Sequence, residues 1–321
     1  MQGRQVTQRR TRAKSLRGAG IAVCLLVGLS LSAPHAHAAF PGRNGVIAFA
    51  FDDEMLGMFP GSRRITTLIP QSRRLGEPVS ASFSPGGRVL AFGYQGDPDI
   101  YIKSVSRRGR ARRMIHKPPG TNFHVSEHGE QTDDLPAWSP DGKSIVFMRL
   151  TDGPTPTGGR NLTSEIRIYH AGHSRLLVRD AEFPAWSSRN EIAFSRGEES
   201  TSTLHVIRPD GSGERKVASG SFPDWSPDGR RLAFEARGGI RTISRTGTGL
   251  RRVTKRNRRC SDGFPKYSPG GGQIAFSRDA IGEPCRAAGL VVVRKDGRHL
   301  RRLRRWEDFA ALNDWQPLPR R

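Results

Sequence analysis

The chain has 321 residues, of which 37 are glycine and 22 are proline. Both residue types disfavour helix interiors, so a helical bundle is excluded, and three cysteines are too few for a disulfide-built scaffold. With 53 Lys and Arg against 30 Asp and Glu, the net charge is +23. This composition favours a large domain of strands and turns with a very basic surface.

Residues 1–38 have the pattern of a secretory signal peptide. Six basic residues and no acidic residue lie within residues 1–17, an apolar run extends from Ile21 to Leu31, and small residues surround Ala38. The run is too short to span a membrane stably. We expect cleavage after Ala38 or Ala39 and export to the periplasm, the cell envelope or the medium. The mature chain then has a net charge of +17 and no transmembrane segment. The Arg9-Arg10 pair leaves the export route, general or twin-arginine, open.

A repeated unit organises the rest of the chain. Its clearest copy is Trp138-Ser139-Pro140-Asp141-Gly142, followed by the apolar segment 145–147. Each unit begins at an aromatic residue, and these blade anchors are 39 to 55 residues apart: Phe83, Trp138, Trp186, Trp225, Tyr267 and Trp315. Periods of this length are typical of propeller blades with four short strands.

The turn after each anchor has a defined chemistry. Proline presets φ and glycine accepts the left-handed position, so Ser-Pro-Asp-Gly predicts a tight turn between the first and second strands. The unit of Trp186 lacks both residues, and we expect Asn190 to take the left-handed position.

The two ends of the propeller region complement each other. Residues 44–51 match a second strand without a preceding aromatic strand, and residues 313–318 match a first strand and then stop. Pairing the two completes one blade. The sequence therefore predicts an all-β fold with one domain over residues 39–321, a six-bladed propeller closed by its N-terminal strands and its C-terminal strand.

The repeat resembles the WD40-like (PD40) repeat of TolB-type propellers, over about residues 41–317. The resemblance implies the six-bladed propeller fold. TolB carries an α/β domain ahead of its propeller, whereas this propeller is expected to begin almost at the cleavage site.

The meander of strands assigns the connections to two rims. We call the rim with the first-to-second and third-to-fourth strand turns the turn rim, and the opposite rim the loop rim. The loop rim is expected to hold four long segments, 116–135, 149–164, 196–202 and 277–288. Loops on a rigid scaffold often carry binding, which makes the following the candidate ligand residues: His116, His124, Glu127, His128, Asp133, Asp134, Glu182 and Asp262.

Two cysteines are predicted to pair. Cys260 lies where the chain reaches the last complete blade, and Cys285 lies between the second and third strands of that blade. Both positions fall on the loop rim, and export places them in an oxidising compartment. We expect a disulfide; free thiols or metal ligands are the alternative.

Enzyme-like motifs are weak. Residues 124–128 fit H-x-x-E-H, but Gly129 follows directly and the surroundings are polar, so a solvated loop is favoured over a zinc-protease helix. Arginines concentrate in the third-to-fourth strand hairpins of the turn rim, where they discourage edge pairing and attract polyanions.

The hypothesis is a non-catalytic binding module, monomeric and without a cofactor, for an envelope protein or an anionic envelope polymer. No specific nucleic-acid partner is expected of an exported protein. The alternative is a metal-assisted enzyme that acts on an acidic polysaccharide, with its site in the 116–135 loop.

Overall fold

The structure is a computed structural model that describes residues 39–95, 97, 99–106, 110–115, 130–154, 160–198, 201–255, 257–281, 285, 288–305 and 311–320. Within these residues all regular structure is β-strand, and the strands form six four-stranded antiparallel sheets. The predicted propeller is confirmed. The predicted signal peptide lies outside the described residues.

The strands are numbered in chain order and grouped by blade. Blade 1 contains β1 (Arg43–Phe51), β2 (Glu54–Met58), β3 (Ile65–Ile69) and β24 (Ala311–Leu318). Blade 2 contains β4 (Pro78–Phe83), β5 (Val89–Tyr94), β6 (Ile100–Ser104) and β7 (Arg112–Ile115). Blade 3 contains β8 (Glu130–Trp138), β9 (Ser144–Pro154), β10 (Arg160–His170) and β11 (His173–Arg179). Blade 4 contains β12 (Glu182–Trp186), β13 (Ile192–Arg196), β14 (Thr203–Ile207) and β15 (Arg215–Ser219). Blade 5 contains β16 (Ser221–Trp225), β17 (Arg231–Glu235), β18 (Ile240–Ser244) and β19 (Arg251–Arg252). Blade 6 contains β20 (Cys260–Tyr267), β21 (Gln273–Ala280), β22 (Gly289–Arg294) and β23 (Arg301–Arg304).

The ring closes as the terminal segments predict. Strand β24 pairs with β1, so that it takes the innermost position of blade 1. Trp315 of β24 packs with Ile47 and Phe49 of β1 and with Ala275 and Leu290 of blade 6. The last blade therefore shares an apolar core with the first.

Six apolar cores hold the ring together, and each lies between two neighbouring blades. The second strands supply much of each core, because their central residues are buried on both faces. The shared position is the last residue of the apolar triplet, which is almost fully buried in every blade: Phe49, Phe92, Phe147, Phe194, Phe234 and Phe276.

The turn after each anchor has the expected geometry. In blade 3 the N–H of Gly142 donates to the carbonyl of Ser139 at 2.9 Å, and the Ser139 hydroxyl accepts from the N–H of Ser144 at 2.9 Å. Gly142 has a φ of 69°. In blade 4, Asn190 has a φ of 58°, which confirms its predicted left-handed role.

Stretches of three segments predicted as loops are strands: 116–135, 149–164 and 277–288, where residues 277–280 belong to β21. Residues 149–154 and 160–164 extend β9 and β10 into one long hairpin, with pairing that continues from Arg149–Glu165 to Pro154–Arg160. Likewise, residues 130–135 belong to the innermost strand of blade 3. The prediction failed because these polar segments lack the apolar alternation that signals a half-buried strand.

The predicted disulfide is present. Cys260 is bonded to Cys285, and both residues are buried. Cys260 is the first residue of β20 rather than part of a preceding loop. Within the described residues, no helix is long and apolar enough to cross a membrane.

Candidate functional site

The innermost strands of four consecutive blades carry the same bulge. At each bulge the pairing with the second strand shifts register. The bulged residue is large and apolar, is followed by proline and has a left-handed backbone: Leu135 (φ 61°), Phe183 (φ 55°), Phe222 (φ 55°) and Phe264 (φ 55°). Such residues rarely adopt positive φ, and bulges re-aim side chains near functional sites.

Three of these side chains form what we call the aromatic arc: Phe183, Phe222 and Phe264. The ring centroids of Phe183 and Phe222 are 4.3 Å apart, as are those of Phe222 and Phe264. Phe222 is buried, whereas the two flanking rings are partly exposed. Because the three residues lie on the innermost strands of adjacent blades, the arc borders the central channel.

Two predicted ligand residues are held by arginines of the neighbouring strand. Asp133 accepts two hydrogen bonds from Arg149, both at 2.6 Å, and Asp262 accepts two from Arg278 at 2.5 and 2.8 Å. Both pairs are directly opposite in the sheet, at the same position of blades 3 and 6. Each carboxylate is thus neutralised within its own blade, and a bidentate pair of this kind fixes geometry more than it offers a free ligand.

The other two predicted acids near the channel are less strongly paired. Glu182 is partly buried at the start of β12, directly before Phe183, and burial raises its pKa. No ion pair to Glu182 occurs among the residues that the structure describes. Asp134 is buried and accepts hydrogen bonds from the Ser80 hydroxyl and from the N–H of Leu135. Burial raises the pKa of Asp134 to about 6.

Four of the eight predicted ligand residues belong to the histidine-rich segment 116–128. His116, His124, Glu127 and His128 lie outside the described residues. In the part of the chain that is described, no group of three or more His, Cys, Asp or Glu side chains is placed to hold a metal ion. The predicted acids that the structure does describe, Asp133, Asp134, Glu182 and Asp262, lie on the innermost strands of blades 3, 4 and 6, which also carry Leu135, Phe183 and Phe264.

Three buried charges near the axis were not anticipated. Asp224, Lys266 and Asp314 precede the anchors of blades 5, 6 and 1, and all three are buried. Burial lowers the pKa of Lys266 and raises that of Asp314, while the two carboxylates favour the charged lysine. Each aspartate also accepts a hydrogen bond from the anchor N–H of the next blade, Tyr267 for Asp224 and Phe83 for Asp314, both at 2.7 Å. These charges join neighbouring innermost strands.

A signal for these charges was present in the repeat. Other units have a small residue at this position, Ser82, Ala137 or Ala185. A charged residue between proline and an anchor, as in Pro223-Asp224-Trp225, is out of pattern for a buried first strand. It indicates a specific polar contact.

Exposed arginines concentrate on the outermost strands. Arg251 and Arg252 form β19, and Arg301 and Arg302 begin β23; all four are exposed. In blade 4 the equivalent Arg215 is bound to Glu191 at 2.8 Å. The outer edge of blades 5 and 6 accordingly carries positive charge.

Comparison with known proteins supports the fold. No protein-family model matches the chain. A curated protein TolB homolog from Chlorobium luteolum is 33% identical over 103 residues, which are 31% of this chain and 22% of that protein. The match thus spans about a fifth of the relative's length.

Solved structures agree over most of the chain. The crystal structure of TolB from Acinetobacter baumannii superposes with a TM-score of 0.63 at 16% identity, over 87% of this chain and 68% of that chain. The chain has the six-bladed β-propeller fold of this TolB structure. A putative TolB from Agrobacterium tumefaciens gives a TM-score of 0.55 at 18% identity, over 81% of this chain and 88% of that chain.

The same fold also occurs in an enzyme. An oligogalacturonate lyase in complex with manganese superposes with a TM-score of 0.53 at 14% identity, over 86% of this chain and 80% of that chain. At such identities the likeness is one of fold, and function depends on the site that the fold carries.

Proposed function

We propose that this TolB-like propeller is an exported, non-catalytic binding module that holds a segment of an envelope protein at its central channel. The observation that carries the proposal is the aromatic arc. Phe183 and Phe264 are partly exposed beside a buried Phe222, at a backbone conformation that apolar residues rarely adopt. Exposed, rigidly held aromatic rings are typical anchors of protein interfaces.

The polar surroundings of the arc suit recognition better than catalysis. Asp133 and Asp262 are fixed by their arginines, which leaves Glu182 as the carboxylate beside the arc with no ion partner among the described residues. A partly buried carboxylate next to an apolar surface is suited to a cationic side chain or an amide N–H of a bound segment. The matching ligand is therefore an apolar peptide segment with one basic group.

The positive charge of the outer edge of blades 5 and 6 supports a second binding function. The exposed arginines of β19 and β23 favour an anionic polymer of the envelope. Export, which the signal-peptide pattern of residues 1–38 and the disulfide support, places the protein where such polymers occur. The two ligand classes would occupy different surfaces.

The enzymatic alternative is a metal-assisted reaction on an acidic polysaccharide. Its support is the likeness in fold to oligogalacturonate lyase. Among the described acids, Asp133 and Asp262 would have to leave their arginines to bind a metal ion, which would leave the half-buried Arg149 or the buried Arg278 without its partner. The binding function is thus favoured over this alternative.

The test is capture of envelope proteins by parent and variant. The double variant Phe183→Ala and Phe264→Ala removes the exposed rings, and Phe59→Ala removes an equally large, 49% exposed ring from blade 1 as a control. An envelope fraction is passed over each immobilised protein at about 0.15 M salt, which screens weak polyanion contacts. We expect a protein that binds parent and control but binds the double variant at least about tenfold more weakly in a direct titration. Equal binding by all three would contradict the proposal.

A further inference from the structure

A basic cleft lies between the outer parts of blades 5 and 6. Its wall is formed by residues 253–255 and 257–259, which follow β19 and precede β20, and its lip is the turn Arg237–Gly238 between β17 and β18. Two adjoining cavities of about 600 and 680 Å³ share Asn257 and Arg258. Each volume is in the range of pockets that bind small ligands.

The cleft is lined by positively charged side chains that no acidic residue of its described lining neutralises. Arg237, Lys255, Arg258 and Arg259 line it and are exposed. Their side chains make no ion pair among the described residues, and no Asp or Glu is among the described residues that line the two cavities. Arg278 also reaches the cleft, but it is already bound to Asp262. These four exposed basic side chains are therefore available to pair with an anionic ligand.

The lip of the cleft is held in an unusual conformation. Arg237 and Gly238 both have positive φ, 55° and 67°, in a tight turn closed by the bond from the N–H of Ala236 to the carbonyl of Gly239 at 2.9 Å. Glycine, asparagine and aspartate suit the first of these positions, whereas arginine is disfavoured there. An unfavourable residue that faces a cavity is consistent with selection for its side chain rather than for the turn.

The wall of the cleft is preorganised. At one end the Thr254 hydroxyl accepts from the N–H of Ile240 at 2.9 Å, and at the other end Cys260 is bonded to Cys285. Between them the Asn257 side chain accepts from the N–H of Arg259 at 2.9 Å. A connection tied at both ends loses little conformational freedom when a ligand binds.

From these features we infer that the basic cleft binds an acidic oligosaccharide through its carboxylate groups. Arginine binds carboxylates bidentately, and the four cations of the wall and the lip match charges that repeat along a chain. The exposed side chains of Ile281 and Leu300, 49% and 45% exposed, offer apolar surface for the C–H faces of sugar rings. The inference rests on the anionic-polymer function proposed above and assigns it a site.

The test is calorimetric titration with an oligogalacturonate at about 0.15 M salt, where distant surface charges are screened. The site variant is Arg237→Gln with Arg258→Gln. The matched control is Arg63→Gln with Arg64→Gln, which removes the same charge from an exposed turn of blade 1, between β2 and β3. We expect the site variant to lose at least about tenfold in affinity and the control to stay within about twofold of the parent. All three proteins should keep the parent's melting temperature, since all four arginines are exposed.

Three other results would overturn part or all of the inference. If the parent does not bind the oligogalacturonate at all, both the cleft and the anionic-polymer function are overturned. If the parent binds it and both double variants weaken it equally, the function stands and the cleft is overturned. If a Glu hexapeptide or inorganic phosphate binds the parent as tightly as the oligogalacturonate, the assignment to acidic oligosaccharides is overturned.

Discussion

Trp315 of β24 lies directly opposite Ile47 of β1, 268 positions earlier in the chain. Its indole N–H donates to the carbonyl of Gly45 at 3.2 Å, and its side chain is fully buried. The preceding Asp314 accepts from the N–H of Phe83 in blade 2. This one strand therefore closes the ring, completes blade 1 and attaches it to the next blade.

Deletion of residues 313–321 should unfold or aggregate the protein. It removes a buried tryptophan, whose loss alone costs about 3–5 kcal/mol, and exposes the unpaired edge of β1. Deletion of residues 320–321 is the control, because it leaves β24 intact. The measurement is the melting temperature together with light scattering. A 313–321 deletion that melts like the control would contradict ring closure by β24.

The sequence predicted this closure because residues 44–51 match a second strand and residues 313–318 match a first strand, and both matches are recognisable from consecutive residues. The bulges at Phe183, Phe222 and Phe264 were not predicted, since a left-handed apolar residue has no local preference for that conformation. The binding of Asp133 by Arg149 and of Asp262 by Arg278 was also missed. It depends on which residues are opposite in the sheet, and the hairpin register is not readable from the residue types alone.

Asp134 should make stability depend on pH. Its pKa of about 6 in the folded protein lies above the ordinary 3.8, so the folded state binds the extra proton between these values. The resulting stabilisation is complete below about pH 4 and is lost as the pH rises through about 6, on the order of 3 kcal/mol at most. Denaturant unfolding from about pH 4 to pH 8 should show a flatter curve for Asp134→Asn than for the parent. Parallel curves would contradict the assignment.

Asn190 should stabilise the folded protein more than glycine would at this turn, although glycine adopts positive φ more readily. Its side chain accepts the indole N–H of the buried Trp186 at 2.9 Å. Asn190→Gly leaves that donor unpaired, and we expect unfolding to become easier by about 1–2 kcal/mol. Gly142→Asn is the converse control: Trp138 already donates to the Ser82 carbonyl at 3.2 Å, so nothing is gained there. An Asn190→Gly variant as stable as the parent would show that the bond contributes little.

The Cys260–Cys285 disulfide should stabilise the protein through its unfolded state. The two residues are 25 positions apart, and closing a loop of that length contributes roughly 3 kcal/mol in the chain-entropy model. The double variant Cys260→Ala and Cys285→Ala should melt at a lower temperature than the oxidised parent, and the reduced parent should approach it. Mass spectrometry of alkylated, unreduced protein checks the bond directly. Labelling of both cysteines in freshly exported protein would rule the bond out.

The most direct test of the proposed function is cross-linking from the aromatic arc in intact cells. Phe183→benzoylphenylalanine places a photoreactive ring at the partly exposed edge of the arc, and Phe59→benzoylphenylalanine places the same ring on the exposed surface of blade 1. Irradiation should yield one discrete adduct with an envelope protein from position 183 and none of that mass from position 59. The same adduct from both positions, or none from position 183 in protein that is folded and exported, would contradict recognition at the central channel.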